Sequence, residues 1–156
     1  METLAEKTAQ TALMLEETLG IPEVHDPLPV LDNLMLTLLS QNTNDVNRDK
    51  AYQTLRTRFP TWEAVRDAEE GSVIEAIRTA GLANQKGPRI QSLLRAITEE
   101  RGSLELSFLE ELPDAEVHRW LTAFKGVGPK TAAIVMLFSL GKPAFPVDTH
   151  IYRISG

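Results

Sequence analysis

The stretch Phe124-Lys125-Gly126-Val127-Gly128-Pro129-Lys130-Thr131-Ala132-Ala133 decides the fold. It joins two apolar-periodic segments, Ala115 to Phe124 and Lys130 to Leu140, each with helical spacing. Glycine accepts positive φ and lets the backbone come close to a ligand, so Gly126 and Gly128 predict a tight turn between two helices. Amide N–H groups left free ahead of a helix N-terminus suit an anion, phosphate above all. Val127 is expected to plug into the core between the helices and fix the turn. Lys125 and Lys130 bracket that turn with positive charge. A short glycine pattern alone is also what a plain helical corner uses to relieve crowding.

Working outward, the pattern stays helical. Glu2 to Leu19 carries Leu4, Thr8, Thr11, Leu15 and Leu19 on one face, and Gly20 ends it. Pro22, Pro27 and Pro29 predict an irregular linker over residues 20–30. Leu31 to Leu39 is leucine-rich and predicts a buried helix. Asn44 or Asp45 is placed to cap the next one, which carries Val46, Ala51, Tyr52 and Leu55 and ends near Pro60. Ser72 and Glu75 have capping-box spacing. Pro88 to Arg101 predicts a further helix, closed by Gly102, and another begins at Asp148. No alternating strand pattern competes, so the expected class is all-α, with eight or nine short helices on short loops.

Composition bounds the function. The chain has 156 residues, 42% of them apolar, enough for one ordinary domain or one and part of another. It has no cysteine, which excludes disulfides, thiol catalysis and cysteine-ligated metal centres for this sequence. His25, His118 and His150 are too scattered for a metal site, and none is expected. The longest apolar stretch, Ala132 to Leu140, falls far short of the ~20 residues of a membrane span. The acidic N-terminus does not start like a signal peptide, so the expected location is the cytoplasm.

The net charge of −6 argues on its face against nucleic acid. Its placement matters more. Residues 1–118 hold 11 basic and 21 acidic side chains, whereas 119–156 hold Arg119, Lys125, Lys130, Lys142 and Arg153 against Asp148 alone. The hairpin stretch is thus the basic part of an acidic chain.

Pro146-Val147-Asp148-Thr149-His150-Ile151 follows, with Asp148 18 positions after Lys130. Taken singly, Asp148 is a common helix cap and Lys130 a solvated surface lysine. Together, Lys-Gly-Val-Gly-Pro-Lys-Thr-Ala, a helix, a loop and Val-Asp-Thr-His-Ile resemble the helix-hairpin-helix DNA glycosylases, specifically the endonuclease III branch and its bacterial members. Leu38-Leu-Ser-Gln-Asn-Thr-Asn-Asp45-Val is similar to the family's second-helix turn. Ala80-Gly-Leu82-Ala-Asn-Gln-Lys86 is similar to its second minor-groove loop. The likeness covers about residues 30–156. Phe124-Lys125 departs from the family's Leu-Pro, but still offers an apolar side chain and a charge near phosphate.

The resemblance implies roles residue by residue. Lys130 falls on the catalytic lysine and Asp148 on the catalytic aspartate. Lys125, Gly126, Val127 and Gly128 fall on the phosphate-binding turn. Asn42 falls where the family fills the gap left by a flipped nucleotide, and Leu82 where it wedges against the orphan base. His150 joins the DNA-binding set. Asn42 also reads as a turn residue, and Leu82 as the apolar contact of a helix cap after Gly81. The implied partner is double-stranded DNA with a damaged base or abasic site, bound by a monomer in the bacterial nucleoid, with no membrane role. The implied domains are an N-terminal helix (1–28) belonging to a second, C-terminal domain; a six-helix domain (29–142) with the hairpin at 115–140; and the start of the second domain (143–156). Relatives continue for several helices and carry a four-cysteine [4Fe-4S] cluster. With Gly156 only eight residues after Asp148, the sequence is expected to be a fragment, without that cofactor and weakly active or inactive alone.

The implied chemistry turns a damaged base out of the stack, because the sugar C1′ is unreachable inside it. An amine attacks C1′, forms a Schiff base and allows β-elimination. Only a neutral amine does this, and at the ordinary lysine pKa of ~10.4 about one in a thousand is neutral near pH 7.4. The helix N-terminus works against a cation there. Asp148 serves by accepting the lysine proton or by stabilising positive charge on the sugar. Two other readings stay open: a glycosylase for alkylated or mismatched bases on the same fold, and a non-catalytic DNA-binding hairpin.

Overall fold

The computed structural model describes residues 1–21 and 26–155, so Pro22 of the expected linker and His25 lie outside the described residues. The order is α1 (Leu4–Leu19), α2 (Val30–Ser40), α3 (Asp45–Arg58), α4 (Trp62–Asp67), α5 (Glu70–Ala76), α6 (Ala83–Arg101), α7 (Asp114–Thr122), α8 (Pro129–Leu140) and α9 (Thr149–Ser155). Short 3₁₀ turns cover Arg78–Ala80 and Ser107–Glu110. Among the described residues there is no strand, as an all-α reading requires.

Helix α2 is the hub. It buries Val30, Leu31, Leu34, Met35, Leu38 and Leu39, so it is covered on most sides. Helices α3, α6 and α8 pack on it. Its polar residues are placed to tie neighbours down. Asp32 accepts from the Tyr52 hydroxyl at 2.6 Å and from Trp62 Nε1 at 3.2 Å, joining α2 to α3 and α4. Asn33 Nδ2 donates to Ser139 Oγ at 2.9 Å, joining α2 to α8. Gln91 Nε2 donates to the carbonyls of Val65 and Ala68, which fastens α6 across the end of α4.

Asn44 caps α3: the Asn47 N–H donates to its Oδ1 at 2.9 Å. Helix α4 carries no long apolar period, but Thr61 caps it by accepting from the Ala64 N–H. Helix α1 is made by local terms. Thr3 and Glu6 close a capping box, yet Leu4, Leu13, Met14, Leu15 and Leu19 are all exposed and the helix buries no residue.

Three local expectations are corrected. Ser72 and Glu75 do not form a capping box. Helix α5 already starts at Glu70, so Ser72 has helical backbone, and Glu75 accepts from Arg78 instead. Helix α6 starts at Ala83 rather than Pro88, which sits inside it. Burial of Lys86 and Gly87 in that first turn and a half outweighs the hydrogen bond that Pro88 cannot give. Helix α7 ends at Thr122, leaving Phe124 in the turn, where it is buried edge-on against Trp120.

Helices α5 and α6 meet at a glycine. A Cβ on Gly87 would stand 2.8 Å from Ile74 Cγ1, whereas one on Gly71, also helical, would meet nothing within 4 Å. Gly87→Ala should therefore lower stability by about 1 kcal/mol, overpacking outweighing helix propensity. Gly71→Ala should raise it by ~0.5–1 kcal/mol. Urea midpoints at unchanged slope check both signs.

Candidate active site

The turn between α7 and α8 is built from its two apolar plugs. Phe124 and Val127 are buried, and the Val127 N–H donates to the Phe124 carbonyl at 3.1 Å. This closes the turn and leaves Lys125, Gly126 and Gly128 exposed. Gly126 has φ +94°, which only glycine adopts without strain. Gly128 is extended at φ −92°, and a Cβ there would meet open space. Among the described residues no protein acceptor meets the N–H of Gly126 or Gly128. Pro129 takes the first position of α8, where its missing N–H costs nothing. The free amides of the turn and of the first helical turn thus open on one side, beside Lys125.

Lys130 stands in the first turn of α8, its side chain half-exposed. Its Nζ donates to Asp148 Oδ2 at 2.6 Å. The other carboxylate oxygen, Oδ1, accepts the His150 N–H at 2.9 Å and so caps α9. The capping and pairing roles of Asp148 hold at once, one oxygen each. Asp148 is delivered by a loop with two anchors. Gly141 ends α8 in the left-handed region at φ +60°. Lys142 Nζ then donates to the Leu112 carbonyl at 2.8 Å and to Asp114 at 3.3 Å, tying the loop to the start of α7.

Beside the pair lies a cleft of about 320 Å³, lined by His118, Pro129, Lys130, Met136, Phe145 and Val147. Most of that lining is apolar, and Lys130 and His118 supply its polar side chains. This suits a flat, mostly apolar group with polar edges. His118 joins the site unannounced by the sequence: no spacing links 118 to 130 until the hairpin folds α7 back along α8.

The other expected residues sit on two loop tips. Asn42 and Leu82 are exposed and are the non-glycine residues with positive φ among those described, at +54° and +50°. Asn42 is therefore a turn residue, as its short polar side chain allows. Leu82 is 48% exposed, and Gly81 before it, at φ +68° and ψ 160°, lacks the left-handed helical conformation that the competing cap motif needs. Neither tip hydrogen-bonds to the Lys130–Asp148 pair. The Asn42 loop is nevertheless joined to the hairpin by Arg89, a second residue the sequence did not mark. Its Nη1 donates to Gln41 Oε1 at 3.2 Å, and its Cδ would lie 3.1 Å from a Cβ on Gly126. His150 is exposed and contributes its backbone N–H to Asp148.

No side chain fits an iron–sulfur cluster. The chain lacks cysteine, and the described residues hold no group of three or more His, Asp or Glu placed for a metal ion.

The Lys130 ammonium first, and the His150 N–H second, hold the Asp148 carboxyl below the ordinary aspartate range. A depressed folded-state pKa means that the pair's stabilisation is present above the unfolded-state value and is lost as pH falls through the folded one. A carbon-13 NMR titration of the Asp148 carboxyl should give a midpoint below ~3.9. Lys130→Met should raise that midpoint. An unshifted wild-type midpoint would mean the pair does not form in solution.

Comparison with known proteins agrees with this architecture. The model of the HhH-GPD superfamily of base excision DNA repair proteins matches residues 35–156. A protein of Arabidopsis thaliana provisionally named a DNA glycosylase is 45% identical over 126 residues, 81% of this chain and 43% of that protein. Endonuclease III of Thermotoga maritima is 36% identical over 130 residues, 83% of this chain and 55% of that enzyme. The chain therefore spans about half the length of these two relatives. The structure of endonuclease III trapped as a covalent intermediate with DNA superposes with a TM-score of 0.75 at 24% identity, covering 100% of this chain and 69% of that one. The hairpin, its flanking helices and the helices that carry them thus form the helix-hairpin-helix glycosylase fold, and the chain belongs to the HhH-GPD superfamily of base excision DNA repair proteins.

Proposed function

We propose that this chain carries the catalytic centre of a bifunctional DNA glycosylase and abasic-site lyase. The observation that carries this reading is Lys130 Nζ held 2.6 Å from Asp148 beside a cleft and directly behind an anion-binding turn. A hairpin that only gripped phosphate would need the turn and Lys125. It would not need an amine paired with a carboxylate at the mouth of a cleft.

The geometry supports the following sequence. Free amides of the turn and the α8 N-terminus hold a backbone phosphate. The damaged nucleotide swings into the cleft. Lys130 reacts as the free amine: its lone pair forms a bond to C1′ while the C1′–base bond breaks, and the base leaves with its electron pair and takes up the proton that Lys130 has given up, with the Asp148 carboxylate placed to stabilise positive charge on the sugar. The attacking nitrogen then passes one proton by way of Asp148 to O4′ as the C1′–O4′ bond breaks, so the ring opens and leaves a protonated C1′=Nζ Schiff base. Loss of a C2′ proton then expels the 3′ phosphate by β-elimination, and water hydrolyses the Schiff base to free Lys130. Asp148 is in place for the proton transfers, a role worth ~10²–10⁴-fold in rate. The base class carried over from the family resemblance is the oxidised pyrimidines.

Borohydride trapping tests this directly. Wild-type protein with an abasic-site duplex should give a covalent adduct, and Lys130→Ala should give none. Asp148→Asn keeps an oxygen for the His150 N–H, so it should fold and trap ~10²–10⁴-fold more slowly. No adduct from folded wild-type protein, or an undiminished adduct from Lys130→Ala, sinks the assignment and favours the binding-only hairpin. A lesion panel checks the base class: release of an alkylated or mismatched base in place of an oxidised pyrimidine replaces that part alone. Lys125→Ala should weaken DNA binding and lessen the slope of log K against log salt by ~0.9, the share of a single phosphate.

A further inference from the structure

Lys86 is 3% exposed, and its ammonium group is buried. Its Nζ donates to the Leu39 carbonyl at 2.8 Å and to the Ala80 carbonyl at 2.8 Å. Among the described residues no carboxylate lies within salt-bridge distance of it. Burial alone pulls its pKa below the ordinary lysine value. A buried cation without a counter-ion is a costly way to fill space, and a methionine would fill the same volume without desolvating a charge.

What the ammonium does is join the carbonyl of Leu39, in the last turn of α2, to that of Ala80, at the end of a 3₁₀ turn. Leu39 lies three residues before Asn42, and Ala80 two residues before Leu82. The Lys86 backbone N–H also donates to the Leu82 carbonyl at 2.9 Å. Lys86 therefore holds the Leu82 tip from both sides, with backbone and side chain, and fastens it to the end of α2 that launches the Asn42 tip. Those tips carry the two non-glycine positive φ values, and a leucine in that region costs ~1–2 kcal/mol. Leu82 gains only partial burial in return, since it is 48% exposed. Strain of this kind, at an exposed apolar side chain, points to work done on a ligand. Arg89 brings the same corner up to the hairpin.

We propose that Lys86 is a positioning residue: its buried ammonium fixes the spacing of the Asn42 and Leu82 tips, so that both enter an opened duplex together. One tip takes the space of the extruded nucleotide, and the other meets its former partner. This rests on the reading of the two tips as DNA contacts. It assigns Lys86 no step in the chemistry at Lys130.

The test uses a duplex with a tetrahydrofuran site, which cannot react with an amine, and 2-aminopurine opposite it. Binding is followed by anisotropy and unstacking of the opposite base by 2-aminopurine fluorescence. Wild-type protein should raise the fluorescence. Lys86→Met at saturating protein should lose at least about fivefold of that rise. Borohydride trapping of a single-stranded abasic oligonucleotide, which has no partner base to displace, should stay within about twofold of wild type. Lys86→Gln, whose shorter amide cannot span both carbonyls, should give an intermediate rise, and it carries the test if the methionine variant does not fold. An unchanged rise in either variant overturns the proposal. So does an equal loss in the single-stranded assay, which is what a merely structural lysine would produce, and so does a wild type that binds without any rise. A wild type that raises fluorescence but traps no abasic site leaves the positioning role supported and removes the Schiff-base mechanism instead.

Discussion

Helix α8 must satisfy two opposed demands, and the site depends on how it does so. Along its length it has to be apolar, because it packs on the central helix α2. Thr131, Ala132, Ala133, Val135 and Met136 are buried within it. At its first turn the proposed function needs an amine presented to solvent and amides free for an anion. Twelve residues separate these tasks by position along the axis rather than by face. The small side chains at 132 and 133 let the helix lie close to its neighbours, and Ser139 is pinned by Asn33 at the far end. A helix so held has little freedom to rotate, and Lys130 inherits that rigidity. Pro129 and Gly128 complete the division: one has no N–H to lose, and the other has no side chain to block an approaching phosphate.

Asp148 comes from outside this rigid body and has to be brought to it. The loop that carries it starts at a left-handed glycine and is tethered by Lys142 to the start of α7. The carboxylate is then divided between two donors. An oxygen that caps α9 fixes the orientation of the group, so the oxygen facing Lys130 does not have to be found by rotamer search. This is also why the net charge of −6 says little about partners. The acidic side chains are spread over the body, while Asp148, the one acidic residue of 119–156, is committed to a lysine and a helix cap.

Much of this was legible in the sequence, and the reason is local. Gly126, by its positive φ, and Pro129, by its place at the start of α8, are constrained by the backbone positions they occupy, so they carry the turn without reference to the rest of the chain. The 18-residue step from Lys130 to Asp148 is short enough that one helix and one loop bring the ends together. What was illegible depended on distant partners. The Ser72–Glu75 spacing suggested a cap, but tertiary packing set the helix start at Glu70. The six residues of α4 are too few to show a period. Pro88 pointed to a boundary that the buried first turn of α6 overrides. Arg89, His118 and Lys86 were invisible as functional candidates because each acts on a group that sequence spacing does not bring near. The carbonyl of Leu39, for example, is 47 residues from Lys86.

The cost of the site is concentrated in one corner. Two non-glycine residues with positive φ, an exposed leucine and a buried ammonium without a carboxylate all occur within the Asn42 and Leu82 loops and the helix turn behind them. The two positive φ values and the buried ammonium break rules that the rest of the described fold obeys. A sequence shaped for stability alone would place glycine at the two tips. The rest of the chain contains no comparable cluster among its described residues. Strain gathered at one exposed corner beside the hairpin is what the proposed contact of the two tips with DNA accounts for.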